Sequence, residues 1–325
     1  MKNKKQTQSR GCSGPRVAVT SSSFSKSKVL REELERVFQN SFYNESGRRF
    51  SETELIEFLK DADAVILGLE KMDRSVLEQL NNLKIIAKYG VGLDNLDVEA
   101  ASELDICVGW TGGVNKRSAS EQALGFMLGL CRNLFFSAFP LKQGQWVKDG
   151  GTLLTERCIG IIGCGNIGTD LVHLLQPFNC RILICDLLNK SEVVDTFGVA
   201  QVSQVELLAE ADIVSLHVPL TELTHFMVDE AFFQQMKPSS YLINNSRGPV
   251  VKQEALKKAL QQKTIAGAAL DVYESEPPDD LEFLSIPNLM VTPHIGGNAD
   301  EAVLAMGRSA INHIKEFFSN ARSKR

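Results

Sequence analysis

Three features predict an α/β fold built on parallel sheets. Short apolar runs alternate with stretches of helical periodicity along almost the whole chain, a pattern that calls for helical crossovers between parallel strands. A glycine-rich turn, Gly163-Cys164-Gly165-Asn166-Ile167-Gly168, sits where an apolar run gives way to a helical pattern. A second apolar run, residues 181–185, ends in Asp186, eighteen residues beyond Gly168. At 325 residues the chain suits two domains of ordinary size or one large one.

Taken in order, residues 17–20 read as a strand, and Leu30, Leu34, Val37 and Phe38 then recur at helical spacing. Ser51-Glu-Thr-Glu54 is a capping box opening a helix through Leu55, Ile56 and Leu59. Residues 64–69 form a strand, and Asp73 caps a helix carrying Val76, Leu77 and Leu80. Residues 84–88 and 106–108 add two strands around a short helix at 98–104, so a complete small α/β domain precedes the glycine turn. Residues 118–139 read as one long helix, opened by Ser118-x-x-Glu121 as a second capping box. Its apolar positions surround so much of the helix that burial between domains or against another subunit is expected.

Beyond Asp186 the alternation continues. Strands are expected at 212–218, 241–244, 265–270 and 289–292, with helices at 229–236 and 252–261. A last helix at 299–318 carries Ala302, Val303, Met306, Ala310, Ile311, Ile314 and Phe317. If it packs back on the first domain, the second domain is an insertion into the first.

The glycine turn has a chemical reading in this context. Gly163 permits the tight turn, Gly165 lets backbone approach a pyrophosphate, and Gly168 lets helix and strand pack closely. The helix N-terminus adds unpaired N–H groups and a partial positive charge. Asp186 is placed to accept hydrogen bonds from ribose hydroxyls and to repel a 2′-phosphate, so the site reads as one for NAD. Arg247, Asp271, Glu276 and His294 all follow predicted strands, where open α/β sheets hold their ligands. His294 is a candidate proton donor or acceptor, Glu276 the carboxylate to hold its ring, and Arg247 a planar fork suited to a substrate carboxylate.

Composition narrows the rest. Hydrophobic content of 43% fills proper cores, and a net charge of −5 gives no reason to invoke nucleic acid or an anionic membrane. The seven cysteines are odd in number and scattered without a C-x-x-C pair, which fits a reducing compartment. Residues 1–15 are rich in Lys, Gln, Ser and Gly with no apolar region after them, so a flexible tail is expected rather than a signal peptide. No apolar run is long enough to span a bilayer, and no metal-ligand pattern is assigned. A cytoplasmic protein is expected.

In combination the motifs resemble the D-isomer-specific 2-hydroxyacid dehydrogenases. The residues that carry the resemblance are Lys88-Tyr-Gly-Val-Gly-Leu-Asp-Asn-Leu-Asp97, the glycine turn and His217-Val-Pro-Leu-Thr221. Asn244-Asn-Ser-Arg-Gly-Pro-Val-Val251, Leu270-Asp-Val-Tyr-Glu-Ser-Glu-Pro277 and Thr292-Pro-His-Ile-Gly-Gly297 complete it. The resemblance implies two Rossmann-like domains, with an NAD-binding domain at 113–297 inserted into a flavodoxin-like substrate domain at 16–112 plus 298–325. It implies hydride transfer between NAD and the second carbon of a small D-2-hydroxy or 2-keto acid, 3-phosphoglycerate or one like glyoxylate and hydroxypyruvate. Arg247 then grips the carboxylate and carbonyl, His294 moves the proton, and Glu276 orients His294. Val91 and Gly92 resemble the second half of the carboxylate cradle, and Asp271 falls where the nicotinamide carboxamide is held. Cofactor contacts are also implied for Asn166, Ile167, His217, Val218, Pro219, Thr224, Asn245, Ser246, Arg247, His294, Gly296 and Gly297. Members pair through the cofactor domain, so a homodimer is expected.

Two departures bear on the substrate. Lys116 and Arg117 stand where small or apolar residues are usual, and the pair reads either as a contact for a phosphate or second carboxylate or as two exposed charges. Asn166 stands where the glycine loop more often carries arginine. A non-enzymatic reading also stays open at this point: an NADH-sensing corepressor-like binding protein shares this fold and keeps these residues.

Overall fold

Central strands covered on both faces need uninterrupted apolar sequence, and the first sheet shows it. In order the chain forms β1 (Val17–Val19), α1 (Ser22–Lys26), α2 (Lys28–Val37), β2 (Ser41–Tyr43), α3 (Glu52–Leu59), β3 (Ala64–Leu67), α4 (Arg74–Leu77), β4 (Ile85–Lys88), α5 (Val98–Glu103) and β5 (Cys107–Gly109). The strands are parallel in the order β2-β1-β3-β4-β5, a flavodoxin-like arrangement, and β1, β3 and β4 are buried along their whole length. The capping box at Ser51 and Glu54 is formed as the sequence predicts, and Asp73 caps α4 through the Val76 amide. This is a computed structural model and it describes residues 14–323; residues 1–13, where most of the expected tail falls, lie outside the described residues.

The second sheet follows. Its elements are α6 (Lys116–Cys131), α7 (Leu134–Lys142), β6 (Cys158–Ile162), α8 (Asn166–Leu175), β7 (Arg181–Cys185), α9 (Ser191–Phe197), β8 (Ala200–Gln201), α10 (Gln204–Glu210), β9 (Ile213–Leu216), α11 (Glu230–Gln235), β10 (Tyr241–Asn244), α12 (Gln253–Gln261), β11 (Gly267–Leu270), α13 (Leu281–Leu284) and β12 (Leu289–Val291). All pairings are parallel in the order β12-β11-β10-β9-β6-β7-β8. Strand order therefore reverses between β6 and β9, the switch point at which a doubly wound sheet leaves a ligand crevice.

The chain returns as α14 (Asp300–Ser323), whose Met306, Ala310, Ile311 and Ile314 join Val17, Val19, Leu30, Leu34 and Ile66 in one core. Close contacts divide the molecule into a unit that ends at Val114 and resumes at Asp300, and a unit from Asn115 to Ala299.

The long helix expected at 118–139 is two helices. The axis bends by 65° between α6 and α7, and Asn133 at the break has φ 50°, a left-handed conformation that asparagine tolerates. The Thr152 amide donates to the Cys131 carbonyl at 2.7 Å, so returning backbone satisfies the end of α6. Burial follows the break: α6 buries Ala119, Ala123, Phe126, Met127 and Leu130, whereas α7 buries nothing. Nor does Ser118 cap the helix. α6 begins at Lys116 after Asn115, which makes no side-chain capping bond. The short elements α1, β2, α9, β8, α10 and α13 are additions to those expected from the sequence. No single helix among the described residues is long and apolar enough to cross a membrane.

The first turn of α8 lies tightly on the glycine turn: an added Cβ at Gly168 falls 2.3 Å from the Gly163 carbonyl oxygen. Gly168→Ala is therefore expected to cost about 1–3 kcal/mol through overpacking against rigid backbone. Urea unfolding reads this, and a wild-type midpoint would contradict it.

Candidate active site

The turn after β6 is shaped by steric need. Gly163 has φ +90° and lies so close to the next crossover that a Cβ there meets the His217 and Val218 backbone at 2.7–2.8 Å. Gly165 differs, because nothing lies within 4 Å of its virtual Cβ. The backbone there is open to a ligand, and Asn166 and Ile167 begin α8 with their amides at the helix N-terminus. Asp186 leaves β7 and turns back on this loop. Its carboxylate accepts the Cys164 amide at 2.7 Å and the Leu188 amide at 2.9 Å, with the Lys190 ammonium 3.5 Å away.

Each carboxylate oxygen has two lone pairs, so Asp186 keeps acceptor capacity for ribose hydroxyls. His217 Nδ1 and Asn245 Oδ1, on the crossovers after β9 and β10, are buried without a hydrogen-bond partner. An open glycine cradle at a helix N-terminus, an adjacent acid and orphaned polar atoms fit a dinucleotide. Thr224 has a structural task within that region: its hydroxyl donates to the Pro219 carbonyl at 2.6 Å and accepts the Thr221 amide at 2.8 Å, closing the loop after Val218.

Three candidate site residues come from the ends of three neighbouring strands. Arg247 lies three residues beyond β10, Asp271 immediately beyond β11 and His294 three beyond β12. Asn244 builds the first turn: its Oδ1 accepts the Ser246 amide and hydroxyl, and its Nδ2 donates to the Arg247 carbonyl at 2.9 Å. The guanidinium donates to the Ser246 carbonyl at 2.8 Å. A Cβ on Gly248 would meet the Tyr273 carbonyl at 1.8 Å, so this loop lies directly on the one after β11. Tyr273 in turn donates its hydroxyl to the Thr292 carbonyl at 2.8 Å, tying in the loop after β12; burial, with Asp271 and Glu276 nearby, pushes that hydroxyl up to about 12.

His294 and Glu276 meet. Nδ1 of the ring and Glu276 Oε2 are 2.7 Å apart, and the other Glu276 oxygen accepts the Tyr273 amide at 3.3 Å. An ionised carboxylate only accepts, so Nδ1 carries a proton and Nε2 is the nitrogen left for chemistry. His294 has φ 53°, a strained backbone for a non-glycine residue, held by its amide bonds to the Asp271 and Thr292 carbonyls. Asp271 is 1% exposed, and its carboxylate accepts the Thr292 hydroxyl at 2.5 Å and the Ile295 and Gly296 amides at 2.8 and 2.7 Å.

Arg117 is paired within its own unit. Its guanidinium forks onto Asp170 at 2.8 and 3.0 Å, and the Ser120 hydroxyl donates to the same carboxylate at 2.5 Å. Lys116 is exposed. Val91 and Gly92 belong to the first unit, in the loop after β4 where Trp110 Nε1 donates to the Val91 carbonyl at 3.0 Å. Sequence reasoning passed over Asn244, Tyr273, Thr292 and Gln122 as site residues. Asn244 had a readable signal, an asparagine at a strand end opening a turn; Gln122, on a helix 170 residues from Thr292, had none. Among the described residues, no group of three or more His, Cys, Asp or Glu side chains is placed to hold a metal ion.

A doubly wound sheet with this glycine turn and a His–Glu pair beyond its strands defines a nicotinamide-dependent oxidoreductase. Residues 124–296 match the family model described as D-isomer specific 2-hydroxyacid dehydrogenase, NAD binding domain. The glyoxylate reductase of Pyrococcus furiosus is 36% identical over 294 residues, covering 87% of each chain. D-3-phosphoglycerate dehydrogenase of Methanocaldococcus jannaschii is 35% identical over 88% of this chain, which spans only 56% of that protein. The holo structure of Rhodotorula graminis D-mandelate dehydrogenase superposes with a TM-score of 0.82 at 26% identity, covering 93% of this chain and 94% of that one. The chain belongs to the D-isomer-specific 2-hydroxyacid dehydrogenases. Its cofactor is NAD.

Burial lowers the His217 imidazole from 6.5 to about 4. Between those two values the unfolded chain binds a proton that the folded one refuses, so stability falls as pH drops through that window. The loss amounts to about 3 kcal/mol and is complete below the folded value; at higher pH the ring is neutral in both states. Urea denaturation across this range is expected to show the slope in wild type and a flatter one in His217→Phe. Identical slopes would remove His217 as its source.

Proposed function

We propose that the protein catalyses reversible NAD-dependent reduction of a small, unphosphorylated 2-keto acid of the glyoxylate and hydroxypyruvate kind to its D-2-hydroxy acid. The observation that carries this reading is the His294–Glu276 pair at 2.7 Å, on loops that leave the same C-terminal edge of the parallel sheet as the glycine cradle. One finding favours an unphosphorylated substrate over 3-phosphoglycerate: Arg117, one of the two cations that a phosphate could have met, is paired with Asp170.

When bound, the nicotinamide supplies or receives the hydride. The remaining steps belong to the protein. Arg247 offers a bidentate fork to the substrate carboxylate and its neighbouring carbonyl, which fixes the face presented to the cofactor. His294 holds a proton at Nε2 and delivers it to the carbonyl oxygen as negative charge builds there. Glu276 keeps the ring oriented and balances the charge it carries while protonated. In the oxidative direction the same nitrogen accepts the hydroxyl proton. Gly163, Gly165, Gly168 and Asp186 would hold the dinucleotide, with Asp271 supporting the His294 loop from beneath. Val91 and Gly92 stay assigned to substrate by the resemblance alone.

The protein is further proposed to act as a homodimer in the reducing environment of the cytoplasm. The six cysteines among the described residues are free. α7 leaves Leu134, Phe139 and Leu141 at 56%, 61% and 53% exposure, exposed apolar surface of the kind that marks an interaction site. Analytical ultracentrifugation at micromolar concentration is expected to give a dimer, and a monomer would end that part of the proposal.

A panel of 2-keto and 2-hydroxy acids, phosphorylated and not, followed by NADH absorbance, tests the reaction. Glyoxylate or hydroxypyruvate is expected to turn over with the highest kcat/KM; exclusive turnover of a phosphorylated acid would overturn the substrate class. His294→Gln is expected to lower kcat by about 10²–10⁴-fold while NADH binding persists. Wild-type turnover in that variant would mean another group moves the proton.

A further inference from the structure

The loops that carry Arg247 and His294 are joined through helix α6. Asn245 Nδ2, next to Arg247, points to Gln122 Oε1 on α6 at 3.4 Å and donates to the Ala119 carbonyl at 2.8 Å. Gln122 Nε2 donates to the Thr292 hydroxyl at 3.2 Å, and that hydroxyl donates to Asp271 Oδ1 at 2.5 Å. Every donor in this chain points the same way, and the chain ends on a buried carboxylate. Such one-directional chains strengthen link by link in a low-dielectric interior.

The far end is mechanically specific. Asp271 Oδ1 and Oδ2 receive the Ile295 and Gly296 amides, and its carbonyl receives the His294 amide at 2.8 Å. The rotation of this one carboxylate therefore sets the strained turn that presents His294. Space agrees with bonding: a Cβ at residue 296 would sit 2.5 Å from Gln122 Oε1 and 3.0 Å from Asp271 Oδ2. Gln122 packs against the backbone of the loop it orients.

We propose that Gln122 and Thr292 are positioning residues for the oxidoreductase reaction, a relay that fixes Asp271 and keeps the His294 and Arg247 loops in register. The inference rests on the assignment of His294 and Arg247 made above. Neither Gln122 nor Thr292 exchanges a proton with substrate. Their contribution is to kcat, because a small misplacement of a catalytic group costs about 10²-fold in rate.

The test uses the full-length protein with Gln122→Leu, Thr292→Val, the double variant and Thr292→Ser. With glyoxylate and NADH, each apolar variant is expected to lower kcat by about 10- to 100-fold while KM for the keto acid stays within about threefold. Thr292→Ser, which keeps the hydroxyl, is expected to return kcat to within about threefold of wild type, and the double variant to be no slower than the slower single, as for one chain of contacts. NADH affinity by fluorescence titration and amide exchange of the peptide containing Ile295 and Gly296 are read in parallel on the ligand-free protein. Exchange is expected to quicken in the Leu and Val variants and not in the Ser variant.

The proposal is overturned if the two single effects multiply, if Thr292→Ser behaves like Thr292→Val, or if the variants lose thermal stability alone with kcat unchanged. If wild type reduces no 2-keto acid, the functional reading fails instead, and the exchange rates of Ile295 and Gly296 still decide for or against the relay.

Discussion

One buried carboxylate organises the C-terminal edge of the second sheet. Asp271 is removed from water and accepts three strong hydrogen bonds, two of them from consecutive backbone amides. An ionised group buried without such partners would cost several kcal/mol, so the loop after β12 is bound to fold around it. That fold puts His294 in a left-handed conformation it would otherwise avoid and brings its Nδ1 to Glu276. Strand order does the rest, because β10, β11 and β12 are neighbours and their crossovers leave the sheet side by side.

The first unit repeats the principle with different residues. Lys88 ends β4 and is buried, its ammonium donating to the Gly68 carbonyl and to Asn95 Oδ1, each at 2.6 Å. Asn95 donates to the Gly68 and Glu70 carbonyls, while Thr20 donates to the buried Glu70 carboxylate at 2.6 Å. These bonds tie the loop that contains Gly90, Val91 and Gly92 to the crossover after β3. In each unit the apolar strands build the platform, and buried polar side chains at their C-terminal ends shape the loops.

Local chemistry was legible in the sequence wherever one short segment decides the outcome. The glycine turn, the Ser51 capping box and the strand-end acid each depend on residues within one turn of chain. Arg247, Glu276 and His294 were legible because they follow apolar runs in motifs of the family, although only the fold shows Glu276 and His294 in contact. The break at Asn133 was not legible, since the apolar pattern runs through it and the returning backbone at Thr152 ends α6. The pairing of Arg117 was not legible for a similar reason: its partner, Asp170, lies on another helix, and no local pattern announces it. Gln122 lay beyond reach because an amide on a helix is silent until the loops it touches are placed.

The ion pair between Asp186 and Lys190 has an evolutionary consequence. With both side chains present the net charge at this strand end is balanced, next to the turn where a bound NAD would place its ribose. An aspartate codon becomes an asparagine codon by one nucleotide change, and the ammonium then stands alone beside that position. A dianionic phosphate ester there would meet attraction in place of repulsion. Asp186 and Lys190 together thus set the sign of the charge that a second phosphate would meet, while the glycine cradle and the proton-handling loops stay as they are.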